Sequence, residues 1–230
     1  MSRILVIGPG GIGRAIAHLA SNEGDIVDIA GREKPGFLHE QFFPYHLHDE
    51  KGIIEVAEHI ANQQVDTVIH TIGILHDEDH SPEKSITQLN EDWFIKNMRI
   101  NCLAPMLMLK SLTDTLPKES RLRFVALSAR VGSIEDNQLG GWLSYRTSKA
   151  ALNMGIRTVA IEWRRLFKYA CIVGYQPGTV DTPLSKPFQT NVPQLFTPEQ
   201  AALYLYQFSQ SITPEMSGYL YDWQKTKIPF

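Results

Sequence analysis

The chain has 230 residues, of which 43% are hydrophobic and 20% are charged. This composition is typical of a globular protein and excludes a disordered or fibrous chain. The 22 basic and 25 acidic residues give a net charge of -3, which provides no basic surface for a nucleic-acid backbone.

The chain carries two cysteines, Cys102 and Cys171, and no CxxC pair. Two isolated cysteines argue against a disulfide framework and a zinc ribbon, and they are typical of a reducing compartment. The apolar run at residues 4–7 is too short for a signal peptide. The sequence also has no apolar stretch of about 18 residues. We therefore expect a cytoplasmic protein with no membrane contact.

Short apolar runs alternate with helix-forming segments along the chain. The runs predict strands at Ile4–Ile7, Ile26–Ala30, Tyr45–His48, Val65–Thr71, Arg123–Leu127, Cys171–Tyr175 and Tyr219–Tyr221. Helices are predicted at Arg14–Asn22, near Ile53–Gln63, at Asn90–Leu116 with a bend or break at Pro105, and at Ser144–Phe167. We expect one α/β domain over residues 1–230, with a doubly wound parallel sheet of about seven strands and helices on both faces.

Residues 183–198 form the most irregular segment of the predicted fold. They contain Pro183, Pro187, Pro193 and Pro198 and show little helical periodicity. A loop this long inside a compact domain is usually functional, so we expect a substrate lid here. A passive surface loop is the alternative.

A glycine-rich turn, Gly8-Pro9-Gly10-Gly11-Ile12-Gly13, lies between the first predicted strand and the first helix. Its spacing matches GxGxxG. Glycines let the backbone approach a pyrophosphate, and the helix N-terminus provides free N–H groups and a positive dipole end. We expect a Rossmann-type dinucleotide site with contacts from Gly8, Gly10, Gly11, Ile12 and Gly13. Plain helix packing is the alternative role of these glycines.

The end of the second predicted strand reads Ile29-Ala30-Gly31-Arg32 and carries no carboxylate. An acidic residue at this strand end would bind the ribose 2′-hydroxyl of NAD, whereas a guanidinium pairs with a 2′-phosphate. Arg32 therefore favours NADP(H) as the cofactor. Asp28 is the competing acid but lies inside the strand, and a solvated surface arginine is the alternative reading of Arg32.

Tyr145 and Lys149 lie four residues apart on a predicted helix and so share one face of it. A nearby ammonium lowers the pKa of a tyrosine from about 10 toward working pH. Such a tyrosine is a general acid–base for carbonyl and alcohol chemistry. A solvated helix face is the alternative for an isolated YxxxK pattern.

With these motifs in order, the sequence resembles the short-chain dehydrogenase/reductase superfamily over nearly its whole length. The segment from Gly132 to Asn137, continuing to Trp142, is similar to the branch of C-factor and small carbonyl reductases. The resemblance implies that Asn101 holds a proton-relay water and that Asp49 caps the adenine ring. It also implies nicotinamide contacts from the segment Gln176–Thr182, with Pro177, Val180 and Thr182 at the cofactor.

The sequence departs from the family pattern in three places. The glycine turn is one residue shorter than TGxxxGxG. The usual Asn-Asn-Ala-Gly segment is His70-Thr71-Ile72-Gly73, where we still expect Ile72 and Gly73 to meet the cofactor. The usual Ser-Ser is Ser128-Ala129, which lacks the second serine. Ser128 and Ser133 both stay candidates for the missing hydroxyl, and register favours Ser128.

The expected function is an NADP(H)-dependent oxidoreductase that transfers a hydride between nicotinamide and a small carbonyl or alcohol substrate. The catalytic residues would be Asn101, Ser128, Tyr145 and Lys149. Tyr145 and Lys149 would also bind the cofactor, with Lys149 at the ribose hydroxyls. A nucleotide-binding signalling protein of the C-factor type, with weak or lost catalysis, is the alternative. A nucleotide-sugar epimerase is disfavoured, because 230 residues leave no room for a substrate domain.

Weaker patterns concern metal, substrate and partner sites. His46 with His48 and His76 with His80 have spacings that metal ligands use, but nothing fixes their convergence, so we expect no metal. Three aromatic residues are candidates for a substrate pocket or for plain packing: Trp142, Phe188 and Phe196. Trp163 and Arg164 suit a partner helix, and the resemblance implies a homodimer or homotetramer.

Overall fold

The computed structural model describes residues 1–37, 39–47, 49–190 and 192–230. An eight-stranded sheet has the order β10-β9-β6-β5-β4-β1-β2-β3, and a two-stranded sheet pairs β7 with β8. The strands are β1 Arg3–Ile7, β2 Ile26–Gly31, β3 Phe42–Pro44, β4 Thr67–His70, β5 Arg123–Leu127, β6 Cys171–Gln176, β7 Thr179–Val180, β8 Leu195–Phe196, β9 Leu220–Asp222 and β10 Lys227–Ile228. All neighbours in the large sheet run parallel except β9 and β10.

The strand order reverses beside β1. The chain proceeds from β1 outward through β2 and β3, then returns to β4 on the other side of β1. In open parallel sheets, ligands bind at the carboxyl ends of the strands at such a reversal. The register pairs Ile7 with both Ala30 of β2 and His70 of β4, so three strands end at one level there.

Helices cover both faces of the sheet, as the strand–helix alternation predicts. They are α1 Gly11–Asn22, α2 Glu50–Asn62, α3 Glu91–Met98, α4 Ala104–Thr115, α5 Leu143–Leu166 and α6 Pro198–Ser211. Alternate residues of β1 enter two separate cores: Leu5 and Ile7 pack with residues of α2, α4 and α5, whereas Ile4 and Val6 pack with residues of α1 and α6. Within the described ranges, no helix combines the length and apolarity needed to cross a membrane.

Two predicted elements differ from the structure. The third strand is Phe42–Pro44 rather than Tyr45–His48, because Phe42 and Phe43 take the pairing with β2 while Tyr45 turns into the core. His48 lies outside the described residues. The predicted helix Asn90–Leu116 is two helices joined by π-helical residues Arg99–Leu103, so the interruption precedes Pro105, which stands in the first turn of α4 and needs no N–H donor there.

Helix α6 and the small sheet were not predicted. Residues 183–198, expected to be irregular throughout, include β8, and Pro198 starts α6. Thr197 caps that helix with a reciprocal capping box to Gln200, a signal readable from the sequence. The sheet has eight strands because the short β10 adds an antiparallel edge.

Candidate active site

A cavity of about 690 Å³ opens at the carboxyl ends of β1, β2, β4, β5 and β6. Thirteen of the predicted catalytic and cofactor-binding residues line it: Gly10, Gly11, Ile12, Gly13, Arg32, Ile72, Gly73, Ser128, Tyr145, Lys149, Pro177, Val180 and Thr182. Gly8, Asp49, Asn101 and Ser133 do not. The cavity therefore joins the glycine turn, the strand-end arginine and the YxxxK pair in one place.

The glycine turn needs its glycines for two different reasons. A Cβ on Gly13 would overlap the carbonyl oxygen of Gly8, so only glycine allows the helix to pack this close. A Cβ on Gly10 would meet nothing within 4 Å. At Gly10 the absent side chain instead leaves the backbone open toward the cavity, as close approach of a pyrophosphate requires.

Thr71 fastens the turn to the next strand and was not singled out from the sequence. Its hydroxyl lies in hydrogen-bond contact with the carbonyl oxygens of Gly8 and, at 3.2 Å, of Ile7. The preceding His70 is buried, and burial together with the charge of Lys149 lowers its pKa to about 3. His70 is therefore a neutral core residue.

The end of β2 excludes a side chain where dinucleotide folds place an acid. A Cβ on Gly31 would lie 2.7 Å from Cδ of Pro9, inside the glycine turn. The next residue, Arg32, is exposed and lines the cavity beside that turn. The only charge that this strand end offers to the cavity is thus positive. Asp28 points away from it and binds Arg3 and His59 at 2.8 Å each.

Tyr145 and Lys149 share the cavity face of α5. The Lys149 Nζ lies 5.7 Å from the centre of the Tyr145 ring and donates a 2.9 Å hydrogen bond to the carbonyl oxygen of Leu127. Burial lowers the pKa of Lys149 to about 8. Burial also raises the pKa of Tyr145 above its ordinary value, opposite to the lowering expected from a neighbouring ammonium. The phenol therefore keeps its proton at neutral pH.

The two candidate serines lie in different places. Ser128 lines the cavity, and its buried hydroxyl donates a 2.7 Å hydrogen bond to Oδ1 of Asn153. Ser133 lines a separate cavity of about 430 Å³ and accepts a 3.1 Å hydrogen bond from the N–H of Asp136. Ser128 is thus the serine on the side of Tyr145. Its partner Asn153 was missed, because no sequence spacing relates two residues 25 positions apart on different elements.

Asn101 lies behind the cavity, in the π-helical turn between α3 and α4. Its side chain donates to the carbonyl oxygen of Ile74 at 2.9 Å and accepts from the Ile74 N–H at 2.8 Å. It also donates to the Ser148 hydroxyl at 3.0 Å, on the helix that carries Tyr145 and Lys149. π-helical turns are frequent at functional sites. Asn101 therefore links the loop after β4 to α5.

Aromatic side chains form one wall of the cavity. The Trp142 ring meets Tyr145 edge-on at 6.3 Å and Phe188 at 5.2 Å between ring centres. Phe188 belongs to the segment 183–198, which His76 touches through a 3.1 Å hydrogen-bond contact with the carbonyl oxygen of Pro183. Phe196, the third aromatic candidate, is buried against Trp223 instead and does not line the cavity.

Asp49 and Trp163, two further residues of the sequence analysis, lie outside the cavity. Asp49 stands at the N-cap position of α2 without a side-chain capping bond, outside the cavity. Trp163 does not face a partner: it is fully buried in the core and donates from Nε1 to the Thr113 hydroxyl at 2.7 Å. Among the described residues, no three His, Cys, Asp or Glu side chains converge as metal ligands would.

Comparisons with known proteins agree with this geometry. The short chain dehydrogenase family matches residues 2–193. A 1-hydroxy-2-glutathionyl-2-methyl-3-butene dehydrogenase of Rhodococcus is 28% identical over 229 residues, 95% of each chain. The C-signal protein of Myxococcus xanthus is 30% identical over 135 residues, which cover 59% of this chain and 77% of that protein.

Solved structures share the fold. The NADPH-bound carbonyl reductase from chicken fatty liver superposes with a TM-score of 0.83 at 20% identity, over 100% of this chain and 99% of that one. The matched residues 2–193 include β1 to β7, the glycine turn and the helix that carries Tyr145 and Lys149. The chain is a member of the short-chain dehydrogenase/reductase superfamily of oxidoreductases.

Proposed function

We propose that the protein is an NADP(H)-dependent reductase that converts a carbonyl substrate to an alcohol, with Tyr145 as the general acid. The observation that carries this proposal is the single cavity that joins Tyr145, Lys149 and Ser128 to the glycine turn. Reduced nicotinamide, when bound, supplies the hydride to the carbonyl carbon. The protein supplies the proton, the orientation of the substrate and the exclusion of water.

Each polar group around the substrate oxygen has a separate role. The Tyr145 phenol donates its proton to the carbonyl oxygen as the alcohol forms. Lys149 stabilises the resulting phenolate and holds the ribose hydroxyls, and Ser128 donates a hydrogen bond to the substrate oxygen. Asn101 anchors a water that passes the replacement proton to Lys149. Burial raises the pKa of Tyr145, so the phenol carries the proton that a carbonyl oxygen accepts in the proposed reduction.

The strand end after β2 supports NADP(H) over NAD(H). Arg32 lines the cavity next to the glycine turn, where a 2′-phosphate would accept hydrogen bonds from its guanidinium. Pro9 fills the space that a side chain at Gly31 would need. Other proposed cofactor contacts are those from Gly8, Gly10, Gly11, Ile12, Gly13, Asp49, Ile72, Gly73, Pro177, Val180 and Thr182.

The aromatic wall indicates the class of substrate. Trp142 contacts the rings of both Tyr145 and Phe188, and the apolar residues Leu75, Val131 and Leu184 also line the cavity. Such a surface binds a flat apolar carbonyl compound by burial and ring contacts. We therefore propose an aryl ketone, aryl aldehyde or quinone as the substrate class.

The remaining parts of the proposal concern organisation. Residues 1–230 form a single domain, and residues 183–198 act as a lid that carries Phe188 to the substrate. The protein acts in the cytoplasm and assembles as a homodimer or homotetramer. Met154 and Ile161, exposed on α5, provide an apolar face for such a contact.

NADPH oxidation with a panel of aryl ketones, aryl aldehydes, quinones and short aliphatic aldehydes tests the proposal. We expect turnover with aryl substrates, alcohol product in equal amount to the NADPH consumed, and slower turnover with the aliphatic aldehydes. Tight NADPH binding without turnover on the whole panel would contradict the proposal and favour a nucleotide-binding signalling role. NADH should support less turnover than NADPH at equal concentration.

A further inference from the structure

Helix α5, which carries Tyr145 and Lys149, begins without the usual local caps. Its N-cap residue Trp142 makes no side-chain capping bond, and its first turn holds no acidic residue. A helix start leaves backbone N–H groups that need acceptors and a positive dipole end that favours an anion. A residue distant in the chain supplies both the hydrogen-bond acceptor and the carboxyl group at this helix start.

Glu83, 61 positions before Ser144, is that residue, and it is 3% exposed. Its Oε2 accepts a 3.1 Å hydrogen bond from the Ser144 N–H, and its Oε1 contacts the Ser144 hydroxyl. Its backbone oxygen accepts from the Trp142 N–H at 2.5 Å. One buried residue therefore holds both Trp142 and Ser144 at the start of α5, directly before Tyr145.

The backbone that Glu83 holds is in an unusual conformation. Gly140, Gly141 and Trp142 have φ values of 65°, 65° and 53°, all in the left-handed region. Glycine adopts this region freely, but a bulky residue such as Trp142 does so only where its surroundings impose it. Arg146 fastens the other side of the turn, donating to the carbonyl oxygens of Gly140 and Gly141 at 3.2 and 3.0 Å.

This arrangement has a consequence for the cavity. The left-handed turn directs the Trp142 ring toward Tyr145 and Phe188. The same turn sets where α5 begins, and hence where the phenol of its third residue lies. Ser144 itself is fully buried and does not line the cavity.

We infer that Glu83 is a positioning residue for the proposed reduction: it fixes the start of α5 so that the Tyr145 phenol and the Trp142 ring face the substrate together. The inference rests on the proposed function of Tyr145. Glu83 does not line the cavity that holds Tyr145, and it lines the separate cavity of about 430 Å³. Loss of its side chain should therefore affect turnover more than cofactor binding.

Glu83→Ala tests this role, with Glu83→Gln as the conservative variant. We expect Glu83→Ala to lower kcat with an aryl ketone at least tenfold and to change the NADPH Kd less than threefold. Glu83→Gln should stay within about threefold of the wild type, because its amide oxygen still accepts from the Ser144 N–H. If Glu83→Ala keeps kcat within twofold, or Glu83→Gln fails as badly as Glu83→Ala, the positioning role is wrong.

Two further variants separate positioning from general stability. Asp28→Ala removes another fully buried carboxylate, outside the cavity, and should lower the melting temperature without changing kcat well below that temperature. Ser144→Ala removes one of the two side-chain contacts and serves where Glu83→Ala does not fold. We expect Ser144→Ala to lower kcat about three- to fivefold. Unchanged kcat in Ser144→Ala, or an equal fall in Asp28→Ala, would overturn the inference.

Hydrogen exchange tests the contact without any activity measurement. The amide of Ser144, whose acceptor is the Glu83 side chain, should exchange at least tenfold faster in Glu83→Ala, while the amide of Val68 in β4 keeps its rate. Equal protection in both proteins would refute the capping contact itself. If exchange is faster in Glu83→Ala but the wild type reduces no substrate, the capping contact stands and the proposed function is refuted instead.

Discussion

The Ser128 hydroxyl donates to Oδ1 of Asn153 at 2.7 Å, and both side chains are buried. Asn153 is itself held by a 3.3 Å hydrogen bond from its Nδ2 to the Gly132 carbonyl oxygen. The pair keeps the one serine of this strand end at the cavity, next to Ala129, which offers no donor. Oδ1 of Asn153 therefore takes the hydroxyl proton that the proposed role of Ser128 would direct to a substrate oxygen.

Ser128→Ala should lower kcat at least about tenfold. Removing a donor to the developing oxyanion typically costs 100- to 1,000-fold, and we expect less because water substitutes in part and Asn153 already competes for the proton. Ser133→Ala is the matched control, since Ser133 lines the separate cavity. Steady-state kinetics on both variants decide the assignment. Collapse in Ser133→Ala with full activity in Ser128→Ala would reverse it.

Alanine substitutions at two glycines of the glycine turn should have different effects, one on stability and one on cofactor binding. Gly13→Ala should destabilise the fold, because its Cβ would overlap the Gly8 carbonyl oxygen. Gly10→Ala should leave the melting temperature within a few degrees, because its Cβ would meet nothing within 4 Å, yet weaken NADPH binding at least tenfold. Thermal unfolding and cofactor titration measure the two effects. Unimpaired NADPH binding by Gly10→Ala would show that the pyrophosphate lies elsewhere.

Arg32→Ala should remove the preference for NADPH over NADH. A charge-assisted contact contributes about 1.5–3 kcal/mol, or roughly 10- to 150-fold in affinity. Titration of both cofactors against the wild type and the variant measures the difference, and the NADH affinity is the internal control because it should change little. Equal affinities for the two cofactors in the wild type would refute the role of Arg32.

The pKa of Lys149 predicts how stability of the cofactor-free protein changes with pH. Burial lowers that pKa to about 8, whereas an unfolded chain has a lysine pKa of about 10.4. Between these values the unfolded state binds the proton and the folded state does not, so the contribution of Lys149 to stability rises with pH across this window. Below pH 8 the cost of burying the charge is fully present.

Lys149→Met removes this dependence. Relative to the wild type, the variant should lose about 3 kcal/mol of stability between pH 7 and pH 10.5, since each pKa unit is worth about 1.4 kcal/mol. Urea unfolding at the two pH values measures it. Lys110→Met is the control, because that side chain is 66% exposed and no such difference is expected there. Parallel pH profiles for Lys149→Met and the wild type would show that the buried amine is not perturbed.

Most elements set by local pattern were predicted from the sequence, although α6 was missed despite its capping box, and the third strand, which is set by tertiary contact, was misplaced. The predicted strand Ile4–Ile7 falls within β1, because a short apolar run followed by a glycine turn is the pattern of a strand buried on both faces of a parallel sheet. The third strand was placed three residues late, because Phe42 and Tyr45 are equally good strand residues and only pairing with β2 separates them.

The same distinction holds at the candidate site. Tyr145 and Lys149 were found because their four-residue spacing is itself the structural relationship. Thr71, Asn153 and Glu83 were missed, since each acts on a residue more than 20 positions away. The pKa of Tyr145 was expected in the wrong direction because spacing shows the neighbouring charge but not the depth of burial, which has the larger effect here.

Single-turnover reduction of an aryl ketone by Tyr145→Phe, at saturating NADPH, is the most direct test of the account. The variant lacks only the phenolic oxygen, so its NADPH Kd, measured by fluorescence titration, should stay within about threefold of the wild type. Its rate should fall at least 100-fold, because the proton donor to the carbonyl oxygen is gone. A Tyr145→Phe rate within threefold of the wild type would contradict the central claim.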